Sequence, residues 1–287
     1  MTDFKASITG PYSLARQSDY FGGWLRPAED DGAILMAFPV DGSFAGAAVR
    51  LRQLDDSSVC GTVYGPGDHA AAWRQALAVL SLDADGSGWA PVGRRDPVIG
   101  ELQREHAHLR PVLFYSPYEA ACAFVIAHRL RIQQGRDIRA RLSVASGEAI
   151  DAGGTAVHAF PSPAALLAID AIENLPAEKI TRLHGIAEAA LDGRLSRERL
   201  RAMPVDEALA ELRTLRGIGE FFATAILMRG AGLVDVYPDD RMTRAGIGRF
   251  YGIDEPTDAD VARITEGWRP YRMWCSVLVH ASERRTR

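Results

Sequence analysis

Cysteine is scarce in this 287-residue chain, and its three copies, Cys60, Cys122 and Cys275, lie far apart. That number and spacing support neither a disulfide framework nor a zinc site, and they cannot supply the four thiolates of an iron–sulfur cluster. No apolar run approaches the roughly 18 residues that a membrane-spanning helix needs. The opening residues, Met1-Thr2-Asp3-Phe4-Lys5, lack the apolar stretch of a secretion signal, so a cytoplasmic location away from membranes is expected. Three signatures of other enzyme classes are also missing: the G-x-S-x-G elbow, the H-E-x-x-H zinc pair and the G-x-x-x-x-G-K phosphate loop. No repeat of fixed period is present.

The apolar fraction, 47%, is ordinary for a globular protein, and the length allows one large domain or two moderate ones. A formal charge of −4 argues mildly against nucleic acid as a partner, which makes the distribution of charge the better guide. The first 100 residues hold 12 acidic and 8 basic side chains, and the rest of the chain is balanced. Within that balanced part, Arg129, Arg131, Arg136, Arg139 and Arg141 face only Asp137, and Arg241, Arg244 and Arg249 form a second group. Each group fits either a solvated helix face or a local patch for phosphate.

Up to about residue 95 the chain reads as α+β. Short strand-like runs occur at 33–40, 47–54 and 59–64, separated by Asp41-Gly42, Asp55-Asp56 and Gly65-Pro66-Gly67. An amphipathic helix is predicted from about His69 to Leu82, followed by a Gly- and Asp-rich linker over 83–95. From Asp96 nearly everything reads as helix, broken near Pro111, 143–155, 161–163, Pro176, Pro204, Gly217, Pro238, Pro256 and Pro270. The prediction is a small N-terminal β-rich domain, 1–95, followed by an all-helical domain, 96–287.

The most specific stretch is Leu215-Arg216-Gly217-Ile218-Gly219, followed about twenty residues later by Pro238-Asp239-Asp240. Val205, Leu209, Leu212 and Leu215 recur at helical spacing before it, and Phe222, Ala225, Ile226 and Met228 after it. Helix–hairpin–helix over about 205–230 is the natural reading. Two glycines without Cβ atoms let backbone N–H groups approach a phosphate closely. The acidic pair returns to the same face after one helix and a loop. Asp is also a favoured helix cap, so both carboxylates fit as caps of a helix beginning at Arg241.

Taken together, these residues resemble the bacterial 3-methyladenine DNA glycosylase II (AlkA-like) family of the helix–hairpin–helix (HhH-GPD) glycosylase superfamily. Further support comes from Ser116-Pro117-Tyr118-Glu119, Phe160-Pro161-Ser162-Pro163, Ala190-Leu191-Asp192-Gly193 and Trp268-Arg269-Pro270-Tyr271-Arg272. The N-terminal part is similar mainly by position and by Tyr12-Ser13-Leu14. The resemblance implies a glycosylase that binds damaged double-stranded DNA as a monomer and flips one nucleotide out. It would hydrolyse the N-glycosidic bond of an N3- or N7-alkylated purine. It places the catalytic carboxylate at Asp240, with Asp239 as the alternative, and DNA contacts at the hairpin residues Gly217, Ile218 and Gly219. Charge adds Arg216, which stands where relatives carry proline, Arg129, which stands where they carry an apolar residue, and Arg244 as further candidates for DNA contact. Base contacts fall to Tyr237, His280, His128, Phe221 and Trp274.

The resemblance also implies a monovalent cation, Na+ or K+, at the hairpin carbonyls and no other cofactor or metal. His280 stands where relatives place a stacking Trp, and His128 where they place a Gln. Bifunctional members carry a Schiff-base lysine two residues after the second hairpin glycine. Phe221 occupies that position, and no lysine follows Lys179. An abasic product without strand cleavage is therefore expected. Two alternatives stay open: a helix–hairpin–helix protein that binds lesions without cutting, and a glycosylase for a bulkier or neutral lesion.

Overall fold

The computed structural model describes residues 1–21, 26–27 and 32–285. The N-terminal part is an antiparallel sheet. Its strands are β1 (Thr2–Ser7), β2 (Arg26–Pro27), β3 (Ile34–Pro39), β4 (Gly46–Asp55) and β5 (Ser58–Tyr64), with helix α1 (Leu14–Phe21) after β1. They lie in the order β1-β5-β4-β3-β2. The three predicted strands are β3, β4 and β5. Met36, Phe38, Val49, Leu51, Val59 and Val63 are fully buried, and helix α2 (His69–Val79) packs on β4 and β5. Asp68 caps α2 by accepting from the N–H groups of Ala70 and Ala71.

Two departures from the sequence reading follow from local chemistry. Strand β1 gives no strong signal because it lies at the edge, where only Phe4 and Ala6 are even half-buried. The predicted linker over 83–95 instead carries helix α3 (Trp89–Arg95). Trp89 is buried there, with its ring 5.4 Å from that of Trp274.

Helices follow, as predicted: α4 (Pro97–Glu105), α5 (Pro117–Ala127), α6 (Ile132–Ser146), α7 (Pro163–Leu167), α8 (Ala177–Leu191), α9 (Arg197–Ala202), α10 (Val205–Arg213), α11 (Glu220–Ile226), α12 (Arg241–Tyr251), α13 (Asp258–Gly267) and α14 (Arg272–Arg285). Asp96, Ser116 and Ser162 cap α4, α5 and α7, each with proline in the first turn. A small hairpin of β6 (Ala149–Asp151) and β7 (Ala156–His158) interrupts them. At three residues per strand it is too short to show a period in sequence. Ile150 and Val157 fix it by packing with Ala48 of β4.

The apolar packing does not follow a cut at residue 95. One cluster joins the sheet, Trp89, Leu102 and Leu113 to Ile247, Val261, Trp268, Trp274 and Leu278. The other is built from 114–231, on α5, α8, α10 and α11. The middle of the chain thus forms one core, and the segments before and after it share the other. Buried Arg197 ties them. Its guanidinium donates to the carbonyls of Phe114, Tyr115 and Gly230, and its N–H to Asp41.

Candidate active site

Helix α10 ends at Arg213, and the chain turns through 214–219 into α11. The N–H of Ile218 donates to the Leu215 carbonyl at 3.0 Å, and Gly217 has φ +90°, a conformation that favours glycine. Ile218 is 4% exposed and anchors the turn in the second core. Gly219 is extended and provides no side-chain cap to α11. The first N–H groups of a helix lack intrahelical partners, and here they sit at an exposed turn.

Arg216 extends from this turn with a 68% exposed side chain, 3.8 Å from Glu178. Arg129 is also exposed. Arg244 is differently disposed. It grips both oxygens of Asp239 at 2.7 and 2.6 Å and reaches Asp258 at 2.6 Å, so its guanidinium is committed within the protein.

After α11 the helix widens into one π turn (Leu227–Ala231), closed by Gly232 in the left-handed region. The loop then returns to the pocket that Phe221 of α11 also lines and delivers the two acidic residues to different partners. Asp239 is exposed and faces Arg244. Asp240 caps α12, accepting the Thr243 N–H at 2.6 Å through Oδ1, and lies 3.5 Å from Nε2 of His280. That nitrogen is 3.0 Å from the Thr243 hydroxyl. Burial alone would raise the Asp240 carboxyl, but hydrogen bonds from His280 and Thr243 outweigh it and hold the group below the usual aspartate range.

Asp240 opens on a pocket of about 440 Å³. One wall comes from the middle segment: Phe114, Phe124 and Ala127, then Arg136 and Arg139 of α6, then Phe221, Met228 and Arg229. The opposite wall is Pro238, Asp240 and Met242 with Ser276, Val277 and His280 of α14. Phe221 is half-exposed at the rim. Phe124 stacks on Phe222 with centroids 5.4 Å apart. The cationic wall went unnoticed in sequence, where the 129–141 run reads as a surface patch. Arg139 turns inward to an ion pair with buried Glu119 and covers the face of Phe114 at 5.4 Å.

Of the five residues predicted at the base, the pocket brings together His280 and Phe221. Trp274 is a core residue, 1% exposed between Trp89 and Tyr271 and under Arg110. Tyr237, two residues before Asp239, packs half-buried against the first core, with Arg272 over its ring at 5.5 Å. His128 ends α5, edge-on to Phe222 and clear of the pocket wall. Partial desolvation and the neighbouring Arg129, Lys179 and Arg182 lower its pKa. Among the described residues, no group of three or more His, Cys, Asp or Glu is placed to hold a metal ion, and no helix is long and apolar enough to cross a membrane.

No family model matches the chain. It is 24% identical over 208 residues to DNA-3-methyladenine glycosylase of Bacillus subtilis, covering 69% of this chain and 67% of the relative. It is 28% identical over 192 residues to DNA-3-methyladenine glycosylase 2 of Escherichia coli, covering 64% of each. The match thus spans about two thirds of these relatives. The solved 3-methyladenine DNA-glycosylase from Archaeoglobus fulgidus superposes with a TM-score of 0.80 over 98% of both chains at 19% identity. The 8-oxoguanine glycosylase/lyase of Clostridium acetobutylicum, solved with double-stranded DNA, gives 0.74 over 100% of this chain and 98% of that one at 14% identity. Sequence relatives and solved neighbours agree: the chain is a homologue of the bacterial proteins named DNA-3-methyladenine glycosylase, and its fold is that of the helix–hairpin–helix DNA glycosylases.

Proposed function

We propose that this protein is a monofunctional DNA glycosylase that excises alkylated purines from double-stranded DNA. The observation that carries this reading is Asp240, ionised and capped into α12, at the wall of an aromatic-edged pocket that Phe221 of α11 rims. A base in a duplex is out of reach, so the nucleotide swings out of the stack into such a pocket at a cost of a few kcal/mol. The turn N–H groups around Gly217 and Gly219 and exposed Arg216 hold the backbone while it does so. The turn offers neutral carbonyl oxygens and no carboxylate, a donor set that fits Na+ or K+, which would stiffen the turn when bound.

As the C1′–N bond breaks, positive charge builds on the deoxyribose, and the Asp240 carboxylate stabilises it. Water, oriented by Asp240, then bonds to C1′ and passes its proton to the Asp240 carboxylate, and the base departs with the electron pair of the broken bond. An alkylated purine is already cationic and needs no general acid to leave. Phe221 at the Schiff-base position provides no amine, so the product is an intact strand with an abasic site. The names of the sequence relatives favour excision over lesion binding without cutting.

The test is release of 7-methylguanine and 3-methyladenine from a methylated duplex. Free base and alkali-sensitive sites should appear together, with no strand cleavage before alkali and no borohydride-trapped protein–DNA adduct. DNA binding without any base release would overturn the reading. A trapped adduct would overturn its monofunctional part.

A further inference from the structure

We infer that His280 is the positioning residue of Asp240, aiming the carboxylate through Thr243. The inference rests on the glycosylase reading above and concerns the same pocket. Three groups form a closed set. Asp240 Oδ1 accepts the Thr243 N–H at 2.6 Å, His280 Nε2 lies 3.0 Å from the Thr243 hydroxyl, and that same nitrogen is 3.5 Å from Oδ1. Thr243 is fully buried, so it cannot turn to follow either partner. Nε2 thus faces the Thr243 hydroxyl and Oδ1 together, and the bond from the Thr243 N–H to Oδ1 leaves Oδ2 for the sugar and water.

The experiment is single-turnover release of 7-methylguanine at pH 7.5 by wild type, His280→Gln and His280→Leu, corrected for enzyme-free release. Affinity for abasic duplex and thermal midpoint are followed alongside. In glutamine the side-chain amide, which can donate or accept, stands in for Nε2 toward the Thr243 hydroxyl. His280→Gln should keep a rate within a few-fold of wild type, while His280→Leu should be slower by about tenfold or more, the scale of a lost hydrogen bond, with affinity for abasic duplex unchanged in both. A His280→Leu rate equal to wild type, or a His280→Gln rate as low as that of His280→Leu, would overturn the inference. If leucine prevents folding, His280→Asn, whose shorter amide falls short of Thr243, takes its place with the same expected loss. No release by wild type would sink the glycosylase reading itself, and this inference with it.

Discussion

Replacing Asp240 by asparagine removes one charge and little else, which makes it the sharpest probe of the site. Asparagine caps helices as well as aspartate, so its amide oxygen can keep the bond from the Thr243 N–H. Loss of the favourable charge at a helix start costs about 0.3–1 kcal/mol, and the fold should survive. The kinetic cost is much larger. The Asp240 side chain is 19% exposed, so an effective dielectric near 20 describes it better than that of water. At about 4 Å, a unit charge beside the developing sugar cation is then worth about 4 kcal/mol. At about 1.4 kcal/mol per factor of ten, this predicts a loss of about a thousandfold in the chemical step. Asp239→Asn is the matched control. It breaks an exposed pair with Arg244, worth at most about 1 kcal/mol of stability, and base release should stay close to wild type. The assay is single-turnover base release with thermal midpoints recorded in parallel. An Asp240→Asn enzyme within about tenfold of wild type, or an equal loss in Asp239→Asn, would refute the reasoning.

Three further outcomes are expected. Gly217→Ala places a Cβ 2.8 Å from Arg182 at φ +90°, a strain of about 1–3 kcal/mol. Fluorescence anisotropy should show weaker DNA binding, with the base pocket unchanged. Trp274→Ala empties a fully buried site and should cost about 3–5 kcal/mol in thermal or denaturant unfolding, while the molecules that remain folded keep their rate of excision. The depressed Asp240 carboxyl stabilises the fold above its unfolded pKa, and that contribution fades only as pH falls through the lower folded value. Asp240→Asn should therefore narrow the stability difference from wild type at strongly acidic pH, as followed by denaturant titration.

The parts legible in sequence were those fixed by local backbone chemistry. Gly217 and Gly219 between two apolar stripes marked the hairpin, and the helical reading from Asp96 onward begins where Asp96 caps α4. Features set by distant contacts were not legible. Trp89 makes a helix of a Gly-rich stretch only because Tyr271 and Trp274 lie against it. The choice between adjacent carboxylates depends on a loop conformation that composition does not encode, and so does the turning of Tyr237 toward Arg272. Arg139 shows the same limit. In sequence it is one of five arginines in a polar run, whereas in space Glu119 of α5, twenty residues earlier, pulls it inward.

The two apolar clusters have a consequence for how this molecule is made. The core built from 114–231 is continuous in the chain, and all of its partners leave the ribosome in sequence. The other joins strands near the start to helices α12–α14 near the end. During synthesis α2 can cover the sheet as soon as it emerges, but the part of this core around Trp89 and Leu102 must wait until Ile247, Val261 and Trp274 emerge. The middle core meanwhile has all it needs to form, in keeping with the tendency of large chains to fold unit by unit. Asp240 and His280 arrive with the late segment, so the pocket is completed only when the chain closes back on its own beginning.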